Sequence, residues 1–163
     1  MNYSIKPSTE KDIPFLWEML HQSIFVSEGQ PAPSLDILKE PNIEKYLINW
    51  GKENDHALVA IDKENNAVGA VWIRLLDQDN AGYGFVDENT PELGMAIKNQ
   101  YRGKGIGKNL LFNMIEFAHS IGYPAISLSV DPLNQNALRL YEKSGFIKIY
   151  EDAGGSWIMK RDL

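Results

Sequence analysis

The strongest constraint on this chain is a single amphipathic run between two short apolar segments. Residues 106–121 place Ile106, Leu110, Leu111, Met114, Ile115, Ala118 and Ile121 at helical spacing, and Gly122 follows. Side chains so spaced share one face of a helix, and a glycine just beyond the last turn is a common stop. Residues 92–97 before it and 125–130 after it are short apolar runs of strand length. A strand–helix–strand unit has to lay its helix on a sheet, so the chain is expected to be α/β.

The remaining patterns extend that sheet. Residues 3–6 read as a strand. Thr9-Glu10-Lys11-Asp12 resembles a capping box ahead of a helix carrying Ile13, Leu16, Trp17 and Leu20. Asn42 is a candidate cap for a second helix, with Ile43, Leu47 and Trp50 on one face and Gly51 closing it. Residues 57–62 and 68–76 read as a hairpin turning at Lys63-Glu64-Asn65-Asn66. A helix over 134–144 ends at Gly145, and strands over 146–151 and 156–160 complete the order. Residues 27–41, with three prolines, form a loop long enough to be functional or to hold a short helical piece. The 163 residues suit one domain, 1–163.

Between the strand at 92–97 and the long helix lies Arg102-Gly103-Lys104-Gly105-Ile106-Gly107-Lys108. The start of a helix offers unpaired N–H groups and the positive end of its dipole, which suits a phosphate. Glycine allows close backbone approach and positive φ. Two familiar phosphate motifs fail here. In a P-loop register Arg102 replaces the first glycine, and Asn109 stands where Ser or Thr is required. In a dinucleotide register Lys108 replaces the third glycine. A flexible turn with solvated lysines is the competing reading.

Composition narrows the partners. The chain has no cysteine, which removes disulfides, thiolate metal sites and a Cys nucleophile. The three histidines show no metal-ligand spacing, so no metal is expected. A net charge of −6 argues against nucleic acid and is compatible with a cationic substrate or simply with solubility. No run approaches the length of a membrane span, and the first residues lack the apolar core of a signal peptide. A cytoplasmic location is therefore expected.

The run Arg102-x-x-Gly105-x-Gly107 resembles the [QR]-x-x-G-x-[GA] signature of the GNAT superfamily of N-acetyltransferases. Downstream, Asn134-x-x-Ala137-x-x-Leu140-Tyr141-x-x-x-Gly145-Phe146 is similar to a helix-to-strand segment of that family. The resemblance implies a mixed, mostly antiparallel sheet of about seven strands, splayed at the cofactor site, with about four helices on its faces. It implies acetyl-CoA as donor, an amine in a small molecule, peptide or protein as acceptor, and direct transfer. Dimers are common among relatives, so a homodimer is compatible. A non-catalytic acyl-CoA-binding module is the alternative.

Carried over by position, the backbone of Met95, Ala96 and Ile97 would pair with the pantetheine arm. A bulge near Gly94 or Met95 would splay this strand from residues 125–130. The N–H groups of Arg102, Gly103, Lys104, Gly105, Ile106, Gly107 and Lys108 would hold the pyrophosphate. Asn134 would bond the cofactor arm, with Asn136 as a second candidate. Tyr141 would protonate the leaving thiolate, unless it is a core tyrosine. Glu92 would serve as general base, unless it is a solvated strand end and a water chain does this work. Asp87 and Glu88 are weaker rivals. Trp72, Tyr83 and Phe85 could line the acceptor pocket. The acceptor site is expected to be built by residues 23–41 and 76–90.

Overall fold

The Thr9 signal operates as expected. The Asp12 carboxylate accepts from the Thr9 N–H at 2.8 Å, and a helix follows at once. In the computed structural model, which describes residues 2–163, seven strands form one sheet in the order β1-β2-β3-β4-β5-β7-β6. They are β1 (Tyr3–Pro7), β2 (His56–Asp62), β3 (Ala67–Arg74), β4 (Glu92–Ile97), β5 (Ala125–Val130), β6 (Ile147–Glu151) and β7 (Trp157–Asp162). Every neighbouring pair is antiparallel except β4 with β5. That exception follows from the crossover helix α3 (Ile106–Ser120), which carries the chain back to start a parallel strand.

The helices divide between two faces. On one face, α3 buries Ile106, Leu110, Leu111, Met114, Ile115 and Ala118 against Leu93, Ile126 and Leu128. The helix α4 (Gln135–Lys143) joins that core through Tyr141 and Leu140. On the other face, α1 (Ile13–Ser23) buries Leu16, Met19 and Leu20 against Val59, Ala70, Trp72 and Ala96. Period-two alternation sorts β4 between them: Leu93, Met95 and Ile97 face α3, and Ala96 faces α1.

The second helix departs from expectation. Only α2 (Pro41–Glu44) is α-helical, and its N-cap is Glu40 rather than Asn42. Beyond it the chain tightens into three-residue turns, with the N–H groups of Tyr46, Leu47 and Trp50 bonded to the carbonyls of Ile43, Glu44 and Leu47. Asn49 takes a positive φ of 55°. The apolar face survives, since Leu47 is buried and Ile43 and Trp50 pack beside it. The stretch behaves as a short clip because its carbonyls are captured from outside. Arg74 Nη1 donates to Lys45 O at 3.0 Å and to Ile48 O at 2.8 Å. The proline-rich segment does hold a short piece, a 3-10 helix over Leu35–Lys39 capped by Ser34.

Candidate active site

Strands β4 and β5 meet at one place and then part. Glu92 is paired with Ser127, and the Ser127 N–H donates to Pro91 O at 3.0 Å. Beyond that bridge no ladder joins the two strands, so Met95, Ala96 and Ile97 carry pairing on their β3 side alone. The expected bulge is absent. The β3–β4 register runs unbroken from Arg74↔Glu92 to Gly69↔Ile97. Gly94 is there for space, because a Cβ would collide with the Trp72 indole lying over it. The splay comes from divergence of two parallel strands, not from an extra residue. Trp72 itself is 1% exposed and belongs to the core, not to a pocket wall.

The glycine turn stands at the mouth of this opening. Gly103 and Gly105 have φ of 75° and 83°, with open space where a Cβ would point, so their need for glycine is conformational. Gly105 is the N-cap of α3. Gly107 differs: its φ is ordinary, and a Cβ would lie 3.3 Å from Met95 Cε and 3.8 Å from Leu140 Cδ2. It sits where β4, α3 and α4 converge. The three cations of the turn take separate roles. Arg102 Nε folds back to donate to Ile97 O at 2.9 Å. Lys104 Nζ lies 5.8 Å from the Tyr101 ring centre. Lys108 lines a hollow of about 400 Å³ with Asn136, Arg139, Leu140, Lys143 and Ser144. Arg139 and Lys143 escaped the sequence reading, though a second cation one helical turn after Arg139 was the available signal.

Asn134 caps α4, its side chain accepting from the Ala137 N–H at 3.4 Å. Tyr141 is buried on the α3 face against Phe146, with ring centres 5.8 Å apart. Burial pushes its hydroxyl up to about 12, so it is an O–H donor at neutral pH. That hydroxyl makes no hydrogen bond to another group among the described residues.

Glu92 is 4% exposed, not a solvated strand end. Its place at the start of β4, two residues before Gly94, sets it on the face opposite Tyr141. Its Oε1 accepts from Tyr46 Oη at 2.7 Å and from the Gly84 N–H at 2.6 Å. Its Oε2 is buried without a partner, as is Ser127 Oγ across the strand pair. Burial raises the Glu92 carboxyl to about 7, against the opposing pull of Tyr46, the Gly84 N–H and the Lys45 charge. The rivals are surface groups that shape turns. Asp87 accepts from the Asn89 N–H at 2.9 Å, and Glu88 lies at 3.5 Å from the Gln78 N–H. Among the described residues no group of three or more acidic, histidine or cysteine side chains is arranged to hold a metal.

Residues 82–85 form a strap over Glu92. A Cβ at Gly82 would overlap Glu92 Oε2, and one at Gly84 would overlap the β5 backbone at Leu128 and Ser129. Tyr83 donates its N–H to Tyr46 Oη at 2.7 Å and is half exposed. Phe85 O accepts from Tyr150 Oη at 3.3 Å.

The sheet thus opens between its two parallel strands, just ahead of a helix capped by a glycine. The chain belongs to the Acetyltransferase (GNAT) family, whose model matches residues 17–146. It is 26% identical to an SPbeta prophage-derived uncharacterized N-acetyltransferase of Bacillus subtilis over 71% of this chain and 63% of that protein. It is 30% identical to human N-acetyltransferase 8B over 93% of this chain and 62% of that protein. The chain thus spans less than two thirds of these curated relatives. A GNAT-family acetyltransferase structure from Streptococcus pneumoniae superposes with a TM-score of 0.67 at 21% identity, covering 99% of this chain and 100% of that one.

Proposed function

We propose that this acyltransferase moves an acetyl group from acetyl-CoA to an amine by direct attack, with Glu92 as base and Tyr141 as acid. The observation that carries the reading is the opening beyond Glu92–Ser127, where Met95–Ile97 lack a β5 partner and face the glycine turn. An extended ligand arm can add itself to such an edge as a strand would. The residues present fit coenzyme A. The hollow beside Lys108, Arg139 and Lys143 suits its phosphates, Gly107 lets them approach, and Asn134 and Asn136 stand at the start of α4. When bound, acetyl-CoA supplies the thioester carbonyl. The names of the relatives, N-acetyltransferases, support nitrogen as the acceptor atom.

Glu92 takes a proton from the acceptor's ammonium form, directly or through a water, leaving a neutral nitrogen with a free lone pair. That nitrogen forms the new C–N bond as the C–S bond breaks. The Tyr141 O–H protonates the departing sulfur, the nitrogen's second proton is lost to water as the amide forms, and Tyr141 is reprotonated from solvent. A β4 N–H, at Met95 or Ala96, polarises the carbonyl. Burial raises the Glu92 carboxyl to about 7, which suits the task, since near neutral pH a base with such a pKa is available in its charged form yet holds a proton well.

A thiol-release assay with acetyl-CoA and a panel of amines, peptides and aminoglycosides tests this, and a chain without cysteine is silent in it. Release should depend on an amine. Glu92→Gln should lower kcat/KM roughly 10²–10⁴-fold and abolish the acid limb of the pH profile. A thermal-shift experiment in which no coenzyme A species stabilises the protein would refute the donor assignment.

A further inference from the structure

We propose that Tyr46 is a positioning residue for Glu92: its hydroxyl, together with the Gly84 N–H, saturates Oε1 and leaves Oε2 as the one oxygen free to take up a proton. The inference rests on Glu92 being the base. Nothing in the sequence around Tyr46 signals the role, because the contact spans 46 positions.

The geometry is asymmetric. Two donors, at 2.7 and 2.6 Å, converge on Oε1, while Oε2 has none. Protonation goes to the oxygen whose lone pairs are not already engaged, and that oxygen is Oε2. Tyr46 Oη has its own orientation fixed. It accepts from the Tyr83 N–H at 2.7 Å, so its proton is committed to Glu92. The Tyr46 hydroxyl stays protonated, because burial and the Glu92 charge both raise its pKa far above neutrality.

The clip around Tyr46 is anchored at both ends. Arg74, the register partner of Glu92 on β3, grips Lys45 O and Ile48 O on either side of Tyr46. Arg74 is itself held by Asp55 at 2.8 Å and stacks 5.2 Å from the Trp50 ring centre. Lys45 Nζ donates to Ala81 O at 2.8 Å and so ties the clip to the residue that leads into the strap. The groups facing Glu92 are therefore Tyr46 and Lys45 from the clip, Arg74 from β3, the strap's Gly84 N–H with Tyr83 beside it, and Ser127 from β5. Among the described residues only Tyr46 and the Gly84 N–H donate to the carboxylate.

Two variants of opposite sign test the assignment. Tyr46→Phe keeps the ring and removes the donor, so the charged form of Glu92 loses support. A fluorinated tyrosine at the same position keeps the ring and donates more strongly. The Glu92 titration is read directly by carboxyl-carbon NMR, its signal assigned by its absence in Glu92→Gln. Tyr46→Phe should raise the midpoint by about one pH unit, and the fluorinated residue should lower it. The acid limb of the pH–rate profile should move with the midpoint. Turnover below the midpoint should fall about tenfold in Tyr46→Phe while KM for acetyl-CoA holds. A midpoint that moves in neither variant overturns the proposal, and the fluorinated residue still decides it should Tyr46→Phe fail to fold. Full turnover in Glu92→Gln, with the midpoint still responding to Tyr46, would retire the base assignment while the positioning contact stands.

Discussion

The two sides of the opening are built differently. The α3 side consists of whole elements in chain order, β4, α3, β5 and α4, with the glycine turn and Asn134 at helix starts. The α1 side of Glu92 consists of fragments: a one-turn helix, a clip of tight turns and a four-residue strap. Its defining contacts join residues far apart, Tyr46 to Glu92, Tyr83 to Tyr46, Lys45 to Ala81 and Arg74 to Lys45. The first side is expected to tolerate local change and to govern donor affinity. The second depends on a few long-range anchors, so a single deletion there should cost more stability.

The sharpest way to break that contrast is Arg74→Ala. The Arg74 and Asp55 side chains are 7% and 4% exposed, and their contact is bidentate at 2.9 and 2.8 Å. Burial works against the Asp55 charge, yet the Arg74 guanidinium and the N–H groups of Lys52 and Gly51 hold its pKa below the usual carboxylate range. Removing the arginine strands a buried carboxylate and frees the clip, with an expected loss of roughly 3–5 kcal/mol. Urea denaturation measures it. A loss below about 1 kcal/mol, the value for an exposed pair, would erase the distinction between the two sides.

Next is the pH dependence that Glu92 imposes on folding. Its folded value of about 7 lies above its ordinary value of 4.5. Between those values the native state holds a proton that the unfolded chain has released, so stability falls as pH rises through the window. Glu92→Gln carries no such proton. Its stability relative to the parent should rise by roughly 3 kcal/mol between about pH 4 and about pH 8. A constant difference would mean that the carboxyl is not held as described.

On the other side, Tyr141→Phe keeps the buried ring and its contact with Phe146. Turnover should drop about 10²-fold with acetyl-CoA affinity nearly intact. Unchanged turnover would return Tyr141 to a purely core role. Gly94→Ala probes the boundary between the sides. The new methyl meets Trp72, so a cost of about 1–3 kcal/mol from overpacking is expected. Donor affinity should persist, since the splay does not depend on a bulge at that position.

These contrasts explain what could be read from residues alone. The unit from Glu92 to Val130 was legible because its signals are local: a helical period, a glycine stop and a glycine turn lie within a few residues of what they control. The second helix was misjudged because its pattern was sound while its carbonyls were claimed by Arg74, a residue outside any local window. A bulge was expected near Gly94 or Met95, and Gly94 proved to be room for Trp72, which sequence spacing cannot distinguish. Tyr46 was invisible for the same reason that it matters: its partners arrive from the strap and from β4. Glu92 stands out in the sequence only by its place at the start of a strand, while its burial rests on two glycines ten and eight residues upstream.

The smallest expected effect belongs to the side that local signals described best. Arg139 is exposed and lines the hollow with Lys108 and Lys143, with no acidic side chain among its lining residues. An exposed charge facing a phosphate is worth about 0.2–1 kcal/mol, so Arg139→Ala should weaken acetyl-CoA binding by no more than about fivefold. The loss should shrink as salt is raised, because screening removes what the substitution removes. Calorimetric titration at two ionic strengths separates this from a folding defect, which salt would not mask in the same way. If Arg139→Ala instead cost as much affinity as a buried pair costs stability, the hollow would be a desolvated anchor, and the α3 side would share the fragility of the clip.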